Sequence, residues 1–314
     1  MTLTFGTDGV RGRAYDELTP ADVELLARTA CRVLDTDTLV VGTDTRESGP
    51  DFVEAICRGA ASAGVTPWVM GVVPTPGVAF AAARYRAAGA MVSASHNAYY
   101  DNGVKFFAPG GRKLTDEQQH AIEHDLETAT VSVGTPEVPV PGDDRVDLVD
   151  EYVAWLDTTA TGGDANGLRV VVDCANGAAS GVAASVLTAR GLTVEVINDR
   201  PDGTNINRNC GSTDMTGLRA RVLETSADLG IAFDGDADRM LAVDRHGDFV
   251  DGDQIIGICA LDLHQRGRLV DDTVVVTVMT NLGFRLGMAA HGVNVHETPV
   301  GDRYVLEALL ANQW

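Results

Sequence analysis

Short apolar runs alternate with longer stretches of helical length along the chain. Residues 38–41 (TLVV) predict a buried strand that runs into a Gly-Thr-Asp-Thr-Arg loop. A helix over 50–63 follows, then a strand over 65–73 that stops at Pro74, a helix over 76–86 and a strand over 89–94 (GAMVSA). Residues 104–107 (VKFF) predict another strand and 115–129 a polar-faced helix, whereas no element is assigned before residue 38. Pro, Gly and Val without periodicity at 130–144 read as a linker.

The pattern then restarts. Helices are predicted over 145–159, 178–190 and 214–225, with strands over 168–173, 192–197, 228–233 and 240–244. A third restart at 251 gives helices over 252–265, 281–290 and 303–311 and strands over 273–278 and 293–297. The fold class is therefore α/β: repeated three-layer α/β/α domains with mixed, largely parallel sheets. The expected boundaries are 1–143, 144–250 and 251–314, the last being short for a self-sufficient domain.

Composition narrows the function. A net charge of -21 repels nucleic acid and anionic lipid, so neither is an expected partner. No run of 18 apolar residues appears, and the first residues carry no basic or apolar leader, so the expected location is cytoplasmic. The five cysteines are scattered, outside any C-x-x-C pair, and read as small buried hydrophobes. Lys occurs only at Lys105 and Lys113 and Asp outnumbers Glu, a surface that suits a high-salt cytoplasm.

Three loops carry candidate chemistry. Residues 91–103 (MVSASHNAYYDNG) leave a predicted strand at its C-terminal end, where open α/β sheets place ligands. Ser95, His96 and Asn97 there offer a hydroxyl, a proton carrier and an amide donor, without the G-x-S-x-G elbow of esterases. On composition alone the segment reads more readily as a polar turn. In Phe233-Asp234-Gly235-Asp236-Ala237-Asp238-Arg239, three carboxylates at alternate positions follow an apolar strand. Such oxygen ligands suit Mg2+ or Ca2+, although in so Asp-rich a chain the triplet arises readily by accident. An EF-hand is a poor fit, because Arg239 and Arg245 stand where it needs Gly and Glu. A D-x-D-x-T/V phosphatase, with Asp234 as nucleophile, would need Thr or Val at Asp238. The third loop, Phe5-Gly6-Thr7-Asp8-Gly9-Val10-Arg11-Gly12, reads as a tight turn whose Arg11 is able to hold phosphate.

In this order the three loops resemble the α-D-phosphohexomutase superfamily over essentially the whole chain. F-G-T-D-G-V-R-G, S-A-S-H-N with Y-Y-D-N-G-V-K-F-F, and F-D-G-D-A-D-R are similar to its substrate-arginine, phosphoserine and metal loops. Asp8, V-D-G-D-Q-I at 250–255, T-N-L-G at 280–283 and P-V-G-D-R-Y-V at 299–305 look most like its phosphoglucosamine mutase branch.

The resemblance implies an intramolecular phosphotransferase that moves phosphate between O6 and O1 of a hexosamine or hexose phosphate. A phosphoserine at Ser95 and a sugar bisphosphate intermediate carry the transfer. One Mg2+ per chain would be held by Asp234, Asp236, Asp238 and a Ser95 phosphoryl oxygen. Arg11, Lys105 and Arg239 would neutralise charge, and His96 would act as general acid/base or merely structure the loop. Arg11 and Asn97 would touch substrate; Arg303 and Asp302 would join the sugar surface or, as helix-start residues, have no such role. A homodimer is compatible with the pattern. Glucose or mannose phosphate as substrate, a magnesium phosphatase and an inactive fragment remain the alternatives.

Two departures bear on activity. Ala98 stands where the family has Pro, which loosens the loop. The family's G-E-x-S-G-H sugar loop and fourth domain are not found before Trp314, so these residues are expected to bind metal and to turn over sugar phosphate poorly.

Overall fold

The computed structural model describes residues 3–6, 9–128, 142–159 and 165–314. Thr7 and Asp8 of the first loop, and most of the expected linker, lie outside them. The chain forms two compact units, Met1–Asp248 and Phe249–Trp314. Among the described residues no helix is long and apolar enough to cross a membrane.

In the first unit the elements are β1 (Val10–Arg13), α1 (Pro20–Leu34), β2 (Thr38–Thr43), α2 (Gly49–Ser62), β3 (Thr66–Val72) and α3 (Thr75–Tyr85). They continue with β4 (Ala88–Val92), β5 (Asp101–Ala108), β6 (Arg112–Lys113), α4 (Asp116–Thr128), β7 (Asp143–Asp144) and α5 (Asp147–Thr159). The described residues form a seven-stranded sheet in the order β1-β5-β4-β2-β3-β7, with β6 beside β5. Its centre is parallel, β4 and β3 flanking β2, while β5 runs antiparallel to both β4 and β1. Leu39, Val40 and Val41 are fully buried because helices cover both faces, so β2 reads as a continuous apolar run.

Helix α1, to which no sequence expectation attaches, starts on a capping box. The Thr19 hydroxyl accepts from the Asp22 amide at 3.3 Å, and the Asp22 carboxylate accepts from the Thr19 amide at 2.9 Å. Pro20 occupies the first turn, and Val23, Leu26, Ala27, Ala30 and Leu34 bury one face at helical spacing. The helix lies so close to α2 that a Cβ at Gly59 would stand 2.3 Å from the Glu24 carbonyl oxygen.

A second sheet places β8 (Arg169–Asp173) between β9 (Thr193–Ile197) and β10 (Leu229–Phe233), both parallel to it, with β11 (Met240–Asp244) antiparallel to β10. The helix expected over 178–190 divides into a 3-10 turn, Ala178–Gly181, and α6 (Ala183–Ala189). Gly181 lies at the break, where its conformational freedom weakens a continuous helix. Helix α7 (Thr216–Thr225) packs on this sheet through Leu218 and Val222. The expected linker ends in structure, because β7 pairs in parallel with β3.

The second unit contains β12 (Phe249–Val250), α8 (Gly252–Gln265), β13 (Thr273–Thr277), α9 (Leu282–Ala290), β14 (Asn294–Thr298) and α10 (Asp302–Asn312). Strands β13 and β14 are parallel, and Ala260, Val276, Phe284, Met288 and Val293 form the core. Met279, Leu282, Ile258 and Leu286 are exposed. Trp314 folds back, its indole edge-on to His296 and donating to Asp271 at 3.3 Å. All five cysteines are free; four are buried, and Cys259 is exposed, contrary to expectation.

Candidate active site

The C-terminal end of β4 delivers the 93–101 loop toward the loop that leaves β10. Ser95 is buried and adopts a left-handed backbone conformation, φ 53°. Its hydroxyl donates to Asp234 Oδ2 at 2.6 Å, and its amide donates to the Ser93 hydroxyl at 2.8 Å. The approach requires glycine at 235, where a Cβ would lie 2.5 Å from the Ser95 carbonyl oxygen.

Ligand atoms of Asp234, Asp236 and Asp238 lie within 4.8 Å of one another. Burial, then the charges of Asp236 and Asp238, push the Asp234 carboxyl up to about 7, against the Ser95 hydroxyl and the Arg239 amide. Asp236 Oδ1 is buried without a hydrogen-bond partner. A crowded carboxylate trio with one buried, unsatisfied oxygen fits a hard cation.

Basic groups ring these carboxylates. Lys105 Nζ sits 3.1 Å from Asp238 Oδ2 and 3.7 Å from Asp236 Oδ2. The Arg239 guanidinium lies 3.6 Å from Asp238 Oδ1 and 3.3 Å from His96 Nδ1. His96 is exposed, with Nδ1 3.5 Å from the Ser95 hydroxyl. Partial burial and the charges of Arg239 and Arg11 lower its pKa, against the carboxylates of Asp236 and Asp238, which favours the neutral imidazole. Arg11 is carried on β1 opposite Gly103, where a Cβ would meet its Cγ at 2.7 Å. The structure therefore gathers Ser95, His96, Lys105, Arg11, Arg239 and the three aspartates in one place. The Asn97 amide is committed to Asp101 Oδ2 at 3.0 Å, within its own loop. Arg303 lies in α10 of the second unit, its guanidinium over the Tyr304 ring and 3.7 Å from Glu307.

Three further residues organise the site without any motif to mark them. Arg46 is buried, ion-paired to Asp44 at 2.9 Å, and donates to the carbonyls of Ser95 and Asn97 at 2.9 Å, of Asp101 at 3.0 Å, and of Ala98. Asn207, from the other sheet's loops, donates to the same Ser95 and Asn97 carbonyls at 2.9 and 3.1 Å. Thr75 binds Asp236 through both its amide and its hydroxyl. Burial raises the Asp44 pKa, opposed by Arg46 and the Ser93 hydroxyl, which donates to it at 2.6 Å.

Comparison with known sequences decides the family. Profiles described as phosphoglucomutase/phosphomannomutase, alpha/beta/alpha domains I, II and III, match residues 2–132, 149–247 and 251–314. The chain belongs to the phosphoglucomutase/phosphomannomutase family. Its relatives include a phosphoglucosamine mutase of Thermobifida fusca, 48% identical over 322 residues, covering 100% of this chain and 71% of the relative. A crystal structure of a phosphoglucomutase/phosphomannomutase family protein from Burkholderia thailandensis shares the fold, with a TM-score of 0.84 at 23% identity. It covers 100% of this chain and 69% of that one. An Aspergillus fumigatus N-acetylphosphoglucosamine mutase, solved with GlcNAc-6P and magnesium, has a TM-score of 0.61 at 18% identity over 99% of this chain and 65% of that one.

Proposed function

We propose that this family member is a phosphohexose mutase that converts glucosamine 6-phosphate to glucosamine 1-phosphate through phospho-Ser95. The observation that carries the reading is the 2.6 Å hydrogen bond from the Ser95 hydroxyl into the aspartate cluster, which joins a nucleophile to a cation site. The substrate follows the phosphoglucosamine mutases that match the full chain at about half identity. The reaction belongs in the cytoplasm, because charged sugar phosphates do not cross membranes unaided.

Asp234, Asp236 and Asp238 would hold magnesium, with Asp236 Oδ1 ready to accept it. Magnesium, when bound, supplies positive charge against the phosphoryl oxygens. The rest falls to side chains. The Ser95 Oγ–P bond breaks as a bond from phosphorus to a sugar oxygen forms, giving a bisphosphate. After the sugar turns over, its other phosphoryl group returns to Ser95 Oγ. The proton that leaves the sugar hydroxyl in the first half is taken up by Ser95 Oγ as its bond to phosphorus breaks, and passes to the freed sugar oxygen when Oγ is phosphorylated again. Lys105, Arg11 and Arg239 neutralise the moving phosphoryl group, a transfer that relies on positioning and charge more than on covalent help. With Nδ1 accepting from Arg239, His96 carries its proton on Nε2 and would donate that N–H to a sugar oxygen, orienting it for the transfer. Arg303 would contribute to sugar recognition.

Phosphorus NMR of the chain with magnesium, glucosamine 6-phosphate and a catalytic amount of a hexose 1,6-bisphosphate tests the reading. Slow formation of glucosamine 1-phosphate is expected, and Ser95→Ala abolishes it. Release of inorganic phosphate that survives Ser95→Ala but not Asp234→Asn would establish a phosphatase instead.

A further inference from the structure

Helix α3 begins without a side-chain cap of its own, because its N-cap residue is Pro74. The metal loop supplies what is missing. The amide of Thr75, the first residue of the helix, donates to the Asp236 carbonyl oxygen at 2.9 Å. The Thr75 hydroxyl donates to Asp236 Oδ2 at 2.5 Å. The Asp236 carboxylate thus sits at a helix N-terminus, where its charge is favoured. Thr75 is 5% exposed and Asp236 1% exposed, so water does not compete for these bonds.

The two oxygens of Asp236 have unequal surroundings. Oδ2 receives the Thr75 hydroxyl and faces Lys105 at 3.7 Å, while Oδ1 is buried with no hydrogen-bond partner. Rotation of the carboxylate out of its present plane would turn the unpartnered oxygen away from its position, and the bond from the Thr75 hydroxyl resists it. A buried carboxylate oxygen left without a donor is costly, and a cation relieves that cost.

We propose that Thr75 is a positioning residue for the divalent cation site. It holds Asp236 by Oδ2 and so presents Oδ1 to the ion. Ligand carboxylates held by an outer hydrogen bond lose affinity when that bond is removed. The assignment rests on the metal reading given above, and its test separates the two.

The chain is titrated with Mn2+, free ion being followed by electron paramagnetic resonance, and bound Mn2+ is displaced with Mg2+. Thr75→Val keeps the side-chain shape without the hydroxyl and is expected to weaken binding about 10- to 100-fold. Thr75→Ser keeps the hydroxyl and restores binding. If Thr75→Val does not fold, as judged by circular dichroism, Thr75→Ala serves as the hydroxyl-free variant. A folded hydroxyl-free variant with unchanged affinity would overturn the assignment, as would a serine variant as weak as the valine. If the unsubstituted chain binds no Mn2+, the metal reading falls and the assignment falls with it, an outcome distinct from equal binding by both.

Discussion

Arg46 bonds its guanidinium to the Asp44 carboxylate and to carbonyl oxygens on both sides of Ser95. Both members of this ion pair are fully buried, so removing one strands the other's charge. Arg46→Met is expected to cost about 3–5 kcal/mol in urea unfolding, and a loss below about 1 kcal/mol would contradict the account. Neither Arg46 nor Asn207 stood out in the sequence. They act on main-chain oxygens far along the chain, and such bonds leave no pattern of spacing. Ser95 and the aspartates lie in short contiguous motifs at strand ends, but composition alone left a polar turn and an accidental triplet open, and only the family resemblance of the three loops together singled them out. Asp234 adds a pH signature. Its folded-state pKa is raised from 3.8 to about 7, so without metal its contribution to stability is fully present below 3.8 and is lost as pH rises through about 7. The stability of the metal-free protein relative to Asp234→Asn should therefore fall across that window. Parallel curves for the two proteins would refute the shift.

At the scale of elements, regular alternation of strands and helices was readable, and its exceptions have local causes. Strand β5 spans Asp101–Ala108 rather than 104–107 because β1 pairs along its first four residues, Asp101–Val104. That pairing sets Arg11 opposite Gly103, whereas the sequence offered only a tight turn. Helix α1 carried its start signal, Thr19-Pro20-Ala21-Asp22, in plain view. Thr19→Ala removes the capping bond to the Asp22 amide and should lower stability by about 1 kcal/mol. Thermal unfolding measures this, and no change would mean that the packing of Val23 and Leu26 alone holds the helix end. The short 3-10 turn at 178–181 was not legible, since the Ala178 amide is directed to the Gly235 carbonyl at 2.8 Å by contact with the aspartate loop.

Across the whole molecule, the first two repeats pack as one unit rather than as beads on a linker. Bonds such as Glu47 amide to Gly203 carbonyl at 2.9 Å, with those of Asn207 and Thr75, join the two sheets at the site. Ser95 and the carboxylate cluster come from different sheets, so the site exists only when they dock. A net charge of -21 opposes that docking at low salt. Raising KCl from about 0.1 M to about 1 M shortens the screening length from ~10 Å to ~3 Å and should raise the unfolding temperature. A flat or falling trend would contradict this. The central claim, that Ser95 receives phosphate beside the aspartate cluster, has a direct test. The chain is incubated with magnesium and a hexose 1,6-bisphosphate, and its intact mass is measured. The account predicts the gain of one phosphoryl group, mapped to Ser95 and absent in Ser95→Ala. An unchanged mass, or phosphate on Asp234, would contradict it.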